Sequence, residues 1–264
     1  MKIAILGTGN LGYSIAIGIL SQNNFKVKNL YLTKRNTASL DAWSKLPNVK
    51  ISTENKKAVR FSDVIIIAVQ PKHLQGVLEE IKDVINPKRH TIVSVVTGRK
   101  IQEFENVLGS DVSIIRGMPN TAISVGQSMT CLSGNKNGKK NFEIVKTIFN
   151  SLGQTLCIEE NLMQSATVIC ASGIAFWMRL IRATAQGAVQ LGFHADEAQE
   201  LAMQTCLGAA SLLIKSGNHP EQEIDKVTTP SGCTIAGLNE MEHQGLSSSI
   251  IRGLVASFEK INKI

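Results

Sequence analysis

A chain of 264 residues, 43% hydrophobic and 19% charged, is long enough for two domains of ordinary size and too apolar to be disordered. Its net charge of +7 comes from scattered Lys and Arg without interleaved aromatics, which argues against a nucleic-acid surface and suits a small polyanionic partner. Five cysteines, an odd number without C-x-x-C spacing, provide neither a disulfide framework nor a zinc site and suit the reduced thiols of the cytoplasm.

Met1-Lys2 runs straight into the apolar Ile3-Ala4-Ile5-Leu6, so no cleavable signal is expected. Lys2 to Leu6 reads as a buried strand, Gly7-Thr8-Gly9-Asn10-Leu11-Gly12 follows at once, and an apolar helical run covers Ile15 to Leu20. Strand, G-x-G-x-x-G, helix is the dinucleotide-binding context. The first glycine allows the turn, the second lets backbone approach a pyrophosphate, and the third lets helix pack on strand. Gly7, Thr8, Gly9, Asn10 and Leu11 are therefore candidate cofactor ligands.

The next strand, near Asn29 to Leu32, ends in Thr33-Lys34-Arg35-Asn36. An NAD site commonly has an acid there for the ribose hydroxyls. None is present, and a guanidinium can grip a 2′-phosphate through paired hydrogen bonds. NADPH is expected over NADH, with NAD use left open; Lys34 and Arg35 as solvated loop charges are the bland alternative.

Strand and helix keep alternating. Val49 to Ser52 is a short strand and Glu54 to Arg60 a short helix; Val64 to Val69 is a continuous apolar run, as a central parallel strand should be. It stops at Gln70-Pro71, on the sheet edge where such folds bind ligands. His73 to Ile85 reads as helix, Thr91 to Val96 and Val112 to Arg116 as strands, 136 to 140 as a solvated basic loop, Asn141 to Asn150 as helix and Gln154 to Ile158 as the last strand. The first 160 residues thus read as an α/β, Rossmann-type doubly wound sheet.

After Glu159 the strands stop. Leu162 to Leu191 is apolar nearly all round, interrupted at Ser172-Gly173, and must be buried on every side, against another subunit if not within its own. Its most apolar part, Val168 to Leu180, is too short to span a bilayer, so no membrane segment is expected. Ala195 to Lys215 and Ser247 to Ile261 are further helices. Residues 161–264 therefore form an all-helical C-terminal domain.

Within it, Thr228-Thr229-Pro230-Ser231-Gly232-Cys233-Thr234 reads as a loop turning into a helix, with Ile235, Leu238 and Met241 three apart on one face. The backbone N–H groups of Ser231, Gly232 and Cys233 would face a small anion such as a carboxylate. An ordinary capped helix is the other reading. His73, His90, His194, His219 and His243 have no H-x-x-x-H spacing, so no metal is expected.

Several motifs occur in one order: Gly7-Thr8-Gly9-Asn10, Asn55 before Asp63-Val64-Ile65, Ala68-Val69-Gln70-Pro71, Met118-Pro119-Asn120-Thr121, Ala171-Ser172-Gly173-Ile174-Ala175, and Pro230 to Leu238. On these the chain resembles the pyrroline-5-carboxylate reductase family along nearly its whole length. The last motif resembles the family's P-G-G-T-T-I-A-G-L, with Ser231 and Cys233 replacing a glycine and a threonine. Arg182 and Gln186 stand where the family carries acids, and Ile174 where it carries proline.

The resemblance implies NAD(P)H-dependent reduction of the cyclic imine 1-pyrroline-5-carboxylate to L-proline, the last step of proline synthesis. It also implies a homodimer with interlocked helical domains, often assembled into larger rings. Arg35, Asn36 and Asn55 would serve the adenosine end, Val69 and Pro71 the ribose path, and Met118 and Asn120 the nicotinamide. Ser172, Gly173, Ser231, Gly232 and Cys233 would bind the imine carboxylate substrate, and Thr234 would hydrogen-bond the ring nitrogen as the catalytic group. Two alternatives stay open: reduction of a different cyclic imine, and a catalytically weak NADP-binding sensor or scaffold.

Overall fold

The computed structural model describes residues 1–21 and 29–261. Residues 22–28 of the expected first domain and 262–264 of the second lie outside that range. The short apolar runs become one eight-stranded sheet: β1 (Lys2–Leu6), β2 (Asn29–Thr33), β3 (Val49–Ser52), β4 (Val64–Ile67), β5 (Thr91–Ser94), β6 (Ser113–Met118), β7 (Ser128–Gly134) and β8 (Gly153–Cys157). The order is β3-β2-β1-β4-β5-β6-β7-β8. The first six strands are parallel, β7 runs antiparallel to β6, and β8 is parallel to β7. The order reverses between β1 and β4, which places the ligand crevice of a doubly wound sheet at their carboxyl ends.

Side chains alternate across the pleat and so feed two layers. Ile3, Ile5, Leu30, Leu32 and Ile66 point to one face, against Ile15 and Ile19 of α1 (Asn10–Ser21). Ala4, Leu6, Ile65, Ile67 and Ile92 point to the other. There they meet Ala58 and Val59 of α2 (Asn55–Phe61), Leu74 and Leu78 of α3 (Leu74–Ile81), and Phe104 of α4 (Ile101–Leu108). Burial on both faces explains why these strands read as unbroken apolar runs.

Residues 136 to 140 are helical rather than a loop, forming α5 (Lys136–Lys140), followed by α6 (Phe142–Asn150). The Asn135 side chain accepts from the Gly138 amide at 2.7 Å, and a Cβ at Gly138 would overlap the Ile114 carbonyl of β6. A cap and close packing override the glycine and the charge there.

The long apolar stretch is helical from Glu160 to Gln190. Ser172-Gly173 does not break it. Instead α7 (Met163–Ala166) passes through a π turn at Thr167–Ser172 into α8 (Gly173–Gln190). At 31 residues, with an 18-residue window of mean hydropathy 1.3, this helix is by length and composition alone long and apolar enough to cross a membrane, which the shorter stretch read from the sequence was not.

Met1–Ala171, together with Lys260 and Ile261, form one compact unit and Ser172–Glu259 the other, so the division falls eleven residues past the boundary expected at 160. The start of the helix belongs with the sheet because Met163 and Ala166 are buried against Met118 and Cys131. In the second unit α8 packs on α9 (Ala195–Ser216) through Ala185, Ala198 and Ala202. α10 (Pro220–Val227), α11 (Cys233–His243) and α12 (Leu246–Ile261) follow. This single chain does not bury its apolar helices on every side: Trp177 and Met178 are each 62% exposed and Ile214 85%.

Candidate active site

A cleft of about 560 Å³ opens at the switch point between β1 and β4. Gly7, Thr8 and Gly9 form its floor, Thr33 to Asn36 one wall, and Ala68 to Gln70 with His73, Gly76, Val77 and Glu80 the other. Thr53 and Asn55 complete it.

The glycine loop divides its work residue by residue. Gly7 has φ +92, and a Cβ there would sit 2.6 Å from the Val69 side chain. The amides of Gly7 and Thr8 both donate to the Thr33 carbonyl, at 3.1 and 2.9 Å, and the Thr8 hydroxyl donates to it at 3.1 Å. Gly7 and Thr8 are therefore tied to β2 and do not offer amides to a phosphate. The amides of Gly9, Asn10 and Leu11 have no hydrogen-bond partner among the described residues. They form the open first turn of α1, where an anion is favoured. A Cβ on Gly9 would meet nothing within 4 Å, and its backbone is not in the left-handed region, so the protein itself does not require glycine there. A Cβ on Gly12 would overlap the Gly7 carbonyl. The cradle fits a pyrophosphate at residues 9 to 11 and a helix–strand contact at Gly12.

At the far end of the cleft Arg35 is exposed, with its Nη2 3.4 Å from His73 Nε2. A guanidinium only donates, so Nε2 is the acceptor in this pair. Lys34 Nζ donates to Ser39 at 2.7 Å, and Asn36 Oδ1 accepts from the Ala38 amide at 3.0 Å. Asn55 Oδ1 accepts from the Thr33 hydroxyl at 2.6 Å, and its Nδ2 donates to Glu80 at 2.7 Å. Glu80 puts a carboxylate into this cleft from α3, although the end of β2 has none. His73, Gly76, Val77 and Glu80 follow the i, i+3, i+4, i+7 spacing of one helical face. Only Val77 of the four has an apolar side chain of any size, so no apolar stripe revealed that face.

Val69 borders the glycine loop, and Pro71 lies just beyond the cleft, its carbonyl accepting from Arg99 at 3.3 Å. Met118 is 4% exposed, turned into the cluster with Cys131 and Met163. Asn120, also buried, has committed its side chain: Oδ1 accepts from the Ala122 amide and Nδ2 donates to the Cys170 carbonyl, both at 3.0 Å. Its own amide donates to Ser128 at 3.2 Å.

In the helical unit Gly232 caps α11, and Ser231 takes φ +56, a left-handed conformation uncommon for serine. The Gly232 amide is not free; it donates to the Thr229 carbonyl at 3.0 Å. The amides of Ser231, Cys233 and Thr234 have no such partner among the described residues, and the Cys233 side chain is exposed. Ile235 and Leu238 are half-buried and Met241 is 46% exposed. Ser172 and Gly173 join the π turn to α8, with Gly173 buried.

The sheet order and the phosphate cradle define a dinucleotide-binding oxidoreductase. Residues 2–98 match the family model described as NADP oxidoreductase, coenzyme F420-dependent, and residues 160–264 match the model described as pyrroline-5-carboxylate reductase dimerisation. The chain is 43% identical to pyrroline-5-carboxylate reductase 2 of Dictyostelium discoideum, over 99% of this chain and 92% of that one. It is 44% identical to pyrroline-5-carboxylate reductase 1 of the same organism, but spans only 49% of that relative's length. Among solved structures it resembles a pyrroline-5-carboxylate reductase of Coxiella burnetii, with TM-score 0.91 and 27% identity over 99% of this chain and 97% of that one. It also resembles the Plasmodium falciparum pyrroline carboxylate reductase with NADP bound, with TM-score 0.86 and 28% identity over the same shares. The chain belongs to the pyrroline-5-carboxylate reductase family.

Proposed function

We propose that this chain reduces 1-pyrroline-5-carboxylate to L-proline with NADPH. The observation that carries the reading is the switch-point cleft. At one end three amides without a partner among the described residues and an open-faced Gly9 leave room for a pyrophosphate, while Arg35 and Lys34 line the other. Bound NADPH would supply the hydride to the imine carbon.

The chain's residues supply position and charge. Gly9, Asn10 and Leu11 hold the pyrophosphate through backbone N–H groups, on a loop fixed by Gly7 and Thr8. Arg35 pairs with the 2′-phosphate, and the free donors of Asn36 and Asn55 serve the ribose. Val69 and Pro71 border the ribose path. Met118 and Asn120 back the nicotinamide, Asn120 by shaping backbone rather than by lending its side chain. Ser231, Cys233 and Thr234 hold the substrate carboxylate through their amides, and Gly232 keeps that turn closed. Ser172 and Gly173 shape the ring pocket. The Thr234 hydroxyl hydrogen-bonds the ring nitrogen. Threonine is too weak an acid to protonate it alone, so the proton arrives with the substrate as an iminium or through a water.

A homodimer completes the molecule: the dimerisation model covers 160–264, and the same helices carry the exposed Trp177, Met178 and Ile214. The deciding measurement is NADPH oxidation with pyrroline-5-carboxylate in the purified protein. Turnover indistinguishable from the substrate-free rate sinks the reading. Faster turnover of another ring size would assign that imine instead, with Arg182 the residue to examine.

A further inference from the structure

Behind the Met118–Asn120 segment lie two thiols that the chemistry above does not use. Cys131 is on β7, paired across the ladder with Met118 of β6, and is 3% exposed. Cys170 is in the π turn and half-exposed. Their sulfur atoms are 3.9 Å apart. A disulfide needs about 2.05 Å, so the two must approach by about 2 Å. Cys170 sits where the hydrogen-bond ladder is already out of α register, in the π turn at Thr167–Ser172. The Cys170 carbonyl also accepts from the Asn120 side chain at 3.0 Å.

We propose that Cys131 and Cys170 form a reversible dithiol/disulfide site whose closure loosens the Asn120 segment and weakens NADPH binding. The second clause rests on the reading of Asn120 as part of the cofactor site.

The roles of the two sulfurs differ. The Cys170 thiolate is stabilised by a hydrogen bond from the Cys131 thiol, which outweighs its desolvation and draws its pKa down to about 7. Cys131 is held protonated by that same bond and by burial. Cys170 is thus the more exposed and the more nucleophilic. With hydrogen peroxide as oxidant, the Cys170 sulfur attacks one peroxide oxygen, the O–O bond breaks, and the departing hydroxide takes a proton to become water. The Cys131 sulfur then attacks the Cys170 sulfenic acid, the S–O bond breaks, and a second water leaves with the Cys131 proton. Two thiols and one peroxide give one disulfide and two waters. A small thiol such as dithiothreitol reverses the bond by exchange.

The test uses the reduced full-length protein treated with hydrogen peroxide, then mapped by non-reducing peptide mass spectrometry and titrated with NADPH by fluorescence. The expected results are a 131–170 cross-link removed by dithiothreitol and a several-fold weaker NADPH affinity that reduction restores. Peroxide-treated Cys131→Ala and Cys170→Ala proteins should keep the affinity of their untreated forms. Unlinked 131 and 170 peptides, with the exposed Cys157 and Cys233 oxidised, would overturn the proposal, as would a cross-linked protein of unchanged affinity. A reduced protein that does not bind NADPH at all would sink the functional reading. The peptide map would still decide whether the pair closes.

Discussion

Gly9 and Gly12 belong to one motif, but they fail differently when substituted. Gly12→Ala places a methyl against the Gly7 carbonyl, an overpacking cost of about 1–3 kcal/mol. We expect a lower Tm whether or not cofactor is present. Gly9→Ala meets no protein atom within 4 Å, so the Tm of the free protein should hold while the KM for NADPH rises. Equal effects on Tm would refute the division of labour within the loop. For Arg35→Ala, a lost charged hydrogen bond is worth about 1.5–3 kcal/mol, and exposure favours the lower end. Since about 1.4 kcal/mol is tenfold, the KM for NADPH should rise roughly tenfold while that for NADH stays near its starting value. His90 gives a pH prediction. Burial, then the Arg89 charge, holds its pKa below the usual 6.5, and its Nε2 is buried without a hydrogen-bond partner among the described residues. The unfolded chain therefore binds the proton more readily. The stability tied to neutral His90 is complete above the ordinary value and is lost as pH falls below it. Urea midpoints at about pH 7.5 and about pH 5 should diverge more in the native protein than in His90→Gln.

Among the elements, one ion pair ties three together. Arg116 of β6 donates to Glu160 at 2.9 Å, and the same Glu160 oxygen accepts from the Ile101 amide at the start of α4 at 2.7 Å. The Arg116 side chain is 6% exposed and that of Glu160 34%. Stripping one partner from a fully buried pair costs about 3–5 kcal/mol, so Glu160→Ala should cost nearer ~2 kcal/mol, read as a lower urea midpoint at unchanged slope. A gain in stability would show that the pair's desolvation outweighs its attraction. Elements also set what could be read from the sequence. β4 was legible because a strand covered on both faces is apolar throughout. α4 was not, because the lysine at its start is an unusual cap; Glu103, accepting from the Lys100 amide at 2.8 Å, closes that end instead. The cradle was legible as a motif. Its split into structural and free amides was not, because a hydrogen bond to the Thr33 carbonyl leaves no mark on residue types. The same holds for the Gly232 amide.

At the scale of the molecule the helical unit is the unfinished half. Leu212 at 59% exposure, Ile214 at 85% and Ile251 at 60% lie on helices of a region matching a dimerisation model. Apolar side chains left open in this number mark an interface. Leu212→Asp should sediment as a monomer and lose turnover, yet still bind NADPH, because the cleft is formed within residues 1–171. Retention of the dimer by that variant would place the interface elsewhere.

The Thr33 carbonyl that anchors Gly7 and Thr8 also bears on how the cofactor preference of such a chain can drift over generations. The anchor is main chain, so residues 34 to 36 can change identity without unfastening the phosphate loop. Selection for one nicotinamide donor or the other can act on a few neighbouring codons, while the turn from Gly7 to Gly12 is inherited intact.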